Sequence, residues 1–432
     1  MSQWYHRNPL KSTAPVKFSL PMKSAQSAAI QICQMMKKSR ESFLELIADP
    51  SSDATAIHNE IIVYLSLLQG FIMCHHLDNA RSPTQTSRLR NLILFKWTNS
   101  VIGTTEKHHD SVFELISILY EYGLWLMKHS AWIASQDNVS MDKAKTVHSS
   151  LKRAAGIFQF IQIHWIRQLN DKTVEGSDLD SNVINAYMLT CQAEAQEVTI
   201  ARAIEMKHKA SLISSLANHT LVLFKSATEA IRTLKNKAYQ KWLVYLQLKA
   251  SVYESYAFCY LGESLLEEEK CGEAIRALEE SSKHFNKATK LCREYSSIKD
   301  HRSGLNAKID EHQFFRNLRP LVTRIKEKCE RENGFIFHQK VVDDCPMLES
   351  KATHGLVAPE EFPLPPLHKL WTSDAYFAFD IKVDQTKVSK EKEPQIEEIK
   401  EKPIGNSGDQ KKSKRMYNKL ISNRKTEGQN HL

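Results

Sequence analysis

An all-α fold is what this sequence predicts, and three observations carry the prediction. Gly and Pro are scarce, 13 of each in 432 residues, whereas sandwiches and barrels need many turns. From Ser24 to about Phe337 apolar residues recur at three- and four-residue intervals, as in Phe43, Leu44 and Ile47 and then Ile61, Tyr64, Leu65, Leu68 and Ile72; that is the period of a helix with one buried face. Apolar residues make up 42% of the chain and charged residues 25%, so a large core can form without metal or disulfide staples. The eight cysteines include no Cys-x-x-Cys pair, and reduced, buried thiols are expected.

Residues 1 to about 20 read as extended. Pro9, Pro15 and Pro21 punctuate them, and Val16, Phe18 and Leu20 alternate with polar neighbours. Helices are then expected over about 109–134, 141–168, 178–208, 210–234, 237–266, 271–295 and 310–332. Asn138, Asp180 and Ser181 are candidate caps, and Gly262 and Gly272 flank a helix–helix connection. Between 237 and 295 small residues alternate with aromatic ones, as in Ala250, Tyr253, Tyr256, Ala257 and Tyr260. This predicts tetratricopeptide-like packing, although no repeat of about 34 residues is present. Gly334 to Phe337 reads as a short strand. An irregular arm follows, with Pro346, Pro359, Pro363, Pro365 and Pro366, and its Trp371, Tyr376, Phe377 and Phe379 should pack back on the body.

From about Gln385 the chain turns polar, with Tyr417 its only aromatic. A segment of that composition cannot bury enough apolar surface to order itself. The expected organisation is therefore a helical domain over 1–380 and a disordered Lys/Glu-rich tail over 385–432. The tail holds 12 Lys and Arg against 7 Asp and Glu, a net +5 of the total +9, which leaves +4 for the first 384 residues. A broad nucleic-acid-binding face is not implied. The basic cluster from Lys411 to Lys425 has three readings: a solvated tail first, a weak contact with an anionic membrane second, for which Met416, Leu420 and Ile421 would supply an apolar face, and an importin-type signal. The N-terminus has no apolar signal core. The most apolar stretch, 61–74, is too short to span a bilayer, so a cytoplasmic protein is expected.

Signatures of catalysis are missing: no GxGxxG, Walker loop, GxSxG or HExxH occurs. Cys74-His75-His76 has metal-ligand residue types, but neighbours on a helix point about 100° apart and do not share a tetrahedral site easily. His108-His109-Asp110 reads as a cap region, and Glu267, Glu268 and Glu269 as a solvated turn. No enzyme activity, cofactor, metal or small-molecule substrate is expected.

Four stretches, in order, resemble the Bro-one domain family and within it the Brox-like branch, related to Alix. They are Trp4-Tyr5-His6-Arg7-Asn8-Pro9-Leu10-Lys11, then 192–203 (Gln-Ala-Glu-Ala-Gln-Glu-Val-Thr-Ile-Ala-Arg-Ala), Cys271-Gly272-Glu273-Ala274-Ile275-Arg276, and Glu332-Asn333-Gly334-Phe335-Ile336. The resemblance covers about 1–380. It implies a curved, banana-shaped helical domain with a tetratricopeptide-like centre and short β elements from its two ends. It also implies a non-enzymatic ESCRT adaptor, whose concave face binds the C-terminal amphipathic helix of an ESCRT-III charged multivesicular body protein. Such an adaptor would act in endosomal sorting or in membrane remodelling at the nuclear envelope, recruited peripherally to those membranes. The alternative is a helical scaffold or membrane–cytoskeleton tether that uses the same face for another helix.

The same resemblance places the partner-helix site at Leu212, Leu216, Arg202, Thr199, His354 and Leu356. Leu212 and Leu216 are one turn apart and share a helix face, and Arg202 would pair with acidic residues of the ligand. Thr199 stands where Alix has an aromatic, and His354 where Brox-type relatives carry Tyr, which suggests pH-sensitive binding. Read from the residues alone, Leu212, Ile213 and Leu216 could equally be core. Brox relatives end in a prenylation box. This chain ends Gly428-Gln429-Asn430-His431-Leu432, and its last cysteine is Cys345, so no lipidation is expected.

Overall fold

The computed structural model describes residues 4–23, 25–74, 85–136, 139–299, 317–348, 354–379 and 395–404. Helices dominate it: α1 (Ser27–Ile47), α2 (Ala54–Ile72), α3 (Ser111–Ala134), α4 (Met141–Phe160), α5 (Ser181–Glu205), α6 (Ala210–Thr233), α7 (Gln240–Glu267), α8 (Cys271–Ser297), α9 (Leu318–Glu332) and the short α10 (Ser373–Ala378). From α3 to α8 each helix packs mainly on its neighbours in sequence. Short polar side chains start several of them by accepting orphan backbone N–H groups. Asp53 does so for Thr55 and Ala56, Asp110 for Val112, Ser140 for Lys143, and Asp180 for Asn182. Asp180 is thus the cap of α5, and Ser181 its first helical residue. Asn138 and His75-His76 lie outside the described residues.

Helix α3 runs through the core and is buried on nearly every side. Along one face it carries Glu114, Glu121 and Lys128, seven residues or two turns apart, and each meets a partner from another segment. Glu114 accepts from Arg40 at 2.7 Å, Tyr64 at 2.9 Å and Trp97 Nε1 at 2.6 Å. Glu121 accepts from the Lys11 amide at 2.6 Å. Lys128 pairs with Glu401. Through Glu121 this face holds the extended N-terminal segment, described from residue 4.

The tetratricopeptide-like centre is α5 to α8. Small residues at the α7–α8 crossing let the axes approach. Gly262 faces Leu278, where a Cβ would sit 2.7 Å from Leu278 Cγ, and Ser255 and Ser281 exchange hydrogen bonds of 2.8 and 2.7 Å through their hydroxyls and carbonyls.

Three local expectations need correction. Residues 85–108 are not helical: β1 (Met73–Cys74) pairs with β2 (Gln85–Thr86), and β3 (Phe95–Thr98) pairs antiparallel with β4 (Thr105–His108). The stretch Gly334 to Phe337 is no strand. It lies in a π-helical turn, Asn333–Phe337, that continues α9 and ends at His338 with φ 50°. A four-residue apolar run has no readable period, and the preceding helix propagates through it. The tail expected to be disordered from Gln385 does not hold that character throughout, because residues 395–404 pack along the body as a strap. Glu397 pairs with Thr13 by a β-bridge, on the side opposite the Thr13–Trp97 bridge, and Ile399 and Ile404 insert into apolar clusters. The basic cluster from Lys411 to Lys425 lies outside the described residues.

The arm after α9 crosses the helices in reverse order, seated in glycine notches. A Cβ on Gly156 of α4 would collide with the Glu360 carbonyl oxygen, and one on Gly70 of α2 with the Trp371 indole. Trp371 packs edge-on to Phe71 and donates from Nε1 to the Leu67 carbonyl at 2.8 Å.

Candidate partner-binding groove

Where α4, α5 and α6 lie side by side, a groove of about 470 Å³ opens on the surface. Helix α5 ends at Glu205, Lys207 turns the chain in the left-handed region (φ 54°), and α6 starts at Ala210. The sharp turn lays the last two turns of α5 against the first two of α6. Leu212 and Leu216 project from α6 into the groove, Val198, Thr199 and Arg202 from α5, and Ala144, Val147 and His148 from α4.

The geometry resolves the choice left open for the leucines. Ile213 points into the core, 2% exposed. Leu216 is equally buried at 2% and belongs to the core cluster, yet its side chain also forms part of the groove floor. Leu212 is half-buried and faces the groove.

The arm closes one end. Gly355 adopts φ +76°, where a Cβ would stand 3.5 Å from Leu216 Cδ2 and 3.9 Å from Thr199 Cγ2. Glycine takes this conformation without strain. The crossing is held by two amides of α5 spaced one turn apart. Gln196 donates to the Gly355 carbonyl at 2.8 Å and accepts from the Val357 amide at 2.9 Å, and Gln192 donates to the Val357 carbonyl at 3.1 Å. Gln196 is buried, so both its polar atoms need partners, and the arm supplies them.

Of the six positions expected to form the site, Thr199, Arg202, Leu212, Leu216 and His354 line this one groove. Leu356 does not. It is 47% exposed and lies outside the lining, while its neighbour Val357 turns inward. Residues 351–353, just before His354, lie outside the described residues. Sequence reasoning missed Lys145, His148, Glu205 and His208 in the lining, and the anchoring pair Gln192 and Gln196. The glutamines did carry a signal, two amides at i and i+4 in an otherwise apolar and small-residue face.

The groove is apolar along its floor and mainly cationic at its rim. Lys145 is exposed and Arg202 half-buried; Arg202 Nη1 bridges Glu205 Oε2 at 2.9 Å within α5. An apolar strip flanked by charge accommodates an amphipathic helix whose polar side carries carboxylates. Among the described residues no three His, Cys, Asp or Glu side chains gather as a metal site would require, and no helix is long and apolar enough to cross a membrane.

Comparison with known proteins gives the geometry its context. The BRO1-like domain family matches residues 11–376. The BRO1 domain-containing protein BROX of Mus musculus is 42% identical over 404 residues, covering 93% of this chain and 94% of its own. The Homo sapiens BROX is 44% identical over 382 residues, covering 88% and 91%. Among solved structures, the ALIX BRO1 CHMP4C complex superposes with a TM-score of 0.64 at 16% identity, over 85% of this chain and 99% of that one. The likeness is one of fold, a curved stack of helices.

Proposed function

The chain belongs to the BRO1-like domain family, and from that premise we propose that it is a non-enzymatic ESCRT-associated adaptor. It captures the C-terminal amphipathic helix of an ESCRT-III charged multivesicular body protein in the groove between α4, α5 and α6. The observation that carries the reading is the groove itself. Leu212 and Leu216 offer an apolar strip one helical turn long, and Arg202 and Lys145 flank it with positive charge. The solved ALIX BRO1 domain that shares the fold was captured together with CHMP4C, which supports an ESCRT-III protein as the source of the helix. In this reading the ligand's apolar face covers Leu212 and Leu216, its carboxylates meet Arg202 and Lys145, and Thr199 and His354 close the end under the arm. The adaptor would serve endosomal sorting or membrane remodelling at the nuclear envelope, brought to membranes by the ESCRT-III protein it holds.

The test is a fluorescence-anisotropy titration of the full chain with the C-terminal helix of an ESCRT-III subunit. Leu212→Asp puts an unpaired carboxylate on the apolar strip, and because Leu212 is half-buried the fold should survive. A hot-spot loss of at least about 2 kcal/mol is expected, roughly a 30-fold weaker Kd, with circular dichroism and melting unchanged. Leu216→Asp should lower the melting temperature as well, since Leu216 is part of the core. Unchanged affinity in a folded Leu212→Asp variant would move the site elsewhere, and no binding to any ESCRT-III helix would end the adaptor reading.

A further inference from the structure

The groove holds more imidazole than an apolar helix-binding surface needs. His148 enters from α4, His208 from the turn between α5 and α6, and His354 from the arm. Three separate elements therefore converge their histidines on one concavity. The charged groups around them are few. From α4 come Lys145 in the lining, paired with Asp142 at 3.4 Å, and Lys152 near His148; from α5 come Arg202 and Glu205; Lys207 and Lys209 flank His208 in the turn; and α6 presents the apolar Leu212 and Leu216. Among the described lining residues Lys145 and Arg202 less Glu205 leave +1 when the imidazoles are neutral, and three imidazoliums raise that to +4.

We propose that His148, His208 and His354 set the selectivity of the groove, so that it takes an acid-bearing amphipathic helix and holds it more tightly as the medium acidifies. The inference rests on the helix-binding reading of the groove and deepens it. Histidine is the side chain that changes charge between about pH 8 and 5, while the carboxylates of a ligand, ordinarily near 4, stay ionised through most of that window. Acidification therefore adds positive charge to the receptor and removes little negative charge from the ligand. His208 and His354 are exposed and His148 half-buried. Burial pushes the His148 imidazole down, and Lys152 pushes it the same way, so His148 contributes little. A solvent-exposed ion pair strengthens an interaction about two- to fivefold. The two exposed histidines together predict about a tenfold tightening between about pH 7.5 and about pH 5.5.

The experiment titrates the full chain with a fluorescein-labelled amphipathic peptide, leucine on one face and glutamate on the other, and with its all-glutamine analogue. Titrations run at about pH 7.5, 6.5 and 5.5, with circular dichroism confirming that each peptide's helicity is unchanged by pH. The acidic peptide should tighten about tenfold and the glutamine analogue should not. His208→Gln with His354→Gln, both surface positions, should flatten the pH profile relative to the variant's own affinity at the highest pH and leave the melting temperature as it is. Tightening that persists in the double variant, or that the glutamine analogue shares, overturns the inference. Binding of the acidic peptide with a flat profile overturns it alone and leaves the groove reading intact, whereas no binding at any pH overturns both.

Discussion

Burial pushes the Glu197 carboxyl up to about 8 and the Lys249 ammonium down, and each is pulled back by the charge of the other across 2.9 Å. Both side chains are fully buried, at the base of the α5–α7 packing, with the Tyr5 and Trp4 rings facing the lysine. A turn earlier, Arg7 forks onto both Glu194 oxygens at 2.9 and 2.8 Å, and Tyr245 donates to the same carboxylate at 2.5 Å. Arg7 of the N-terminal motif and Glu194 and Glu197 of the 192–203 motif thus belong to a buried polar network that docks the first segment on α5 and α7, while Thr199 and Arg202 of the second motif line the groove. Removing one member of a buried pair leaves the other uncompensated, whereas replacing both with apolar residues is often near neutral. Lys249→Met is accordingly expected to cost about 3 kcal/mol in urea unfolding, and Lys249→Met with Glu197→Leu to recover most of it. A double variant as unstable as the single one would show that the pair contributes through other contacts.

At the scale of elements, the arm connects packing to the groove. Its path over α4 depends on Gly156, where any side chain meets the Glu360 carbonyl, while Glu360 donates its own amide to the Lys152 carbonyl at 3.0 Å. Gly156→Ala should lift this part of the arm, cost about 1–3 kcal/mol as overpacking does, and loosen Gly355 over Leu216 and Thr199. Hydrogen exchange should then speed up at Val357, whose amide is held by Gln196, and the helix affinity should fall. Exchange that stays slow at Val357 would show the two crossings to be independent. The arm also shows where sequence reasoning stopped. Amphipathic period marks helices well because it is a local property, so α3 to α8 were legible, as was Asp180 as a cap. The β3–β4 hairpin was not, since Phe95 and Trp97 read equally well as apolar positions of a helix. The partners of Gln196 stand about 160 residues away along the chain, and no local pattern encodes them. Leu212, Leu216, Arg202, Thr199 and His354 were reached through family resemblance, which carries tertiary proximity that periodicity lacks. Leu356 was placed by that route too, but it sits one residue past the left-handed Gly355 and faces away.

For the whole molecule, the question is where the folded unit ends. Composition put its boundary near 380, and the family match stops at residue 376, yet the strap at 395–404 completes contacts that the core leaves open. Lys128 is 6% exposed on α3 and pairs with Glu401. The other Glu401 oxygen accepts the Leu10 amide at 2.6 Å, Lys402 donates its amide to the Ala48 carbonyl at 2.9 Å, and Ile404 packs against the cluster of Tyr5, Ala131 and Val147. That cluster includes Ala134 and Val147, which also line the groove. A chain cut after 384 would leave the Lys128 ammonium buried without its carboxylate and an apolar cluster open to water. A chain cut after 404 keeps both. The 1–404 chain is therefore expected to melt with the full chain, and the 1–384 chain several degrees lower, at about 2–4 °C for each kcal/mol lost in a protein somewhat smaller than this one. Glu401→Ala in the full chain should reproduce part of the loss, since it removes the counter-charge alone. Equal melting of the two truncated chains would mean that the strap rests on the surface without stabilising it. A lower melting temperature for 1–384 would place the C-terminal edge of the domain at 404, and binding measurements on shorter chains would then report a destabilised groove wall together with the ligand.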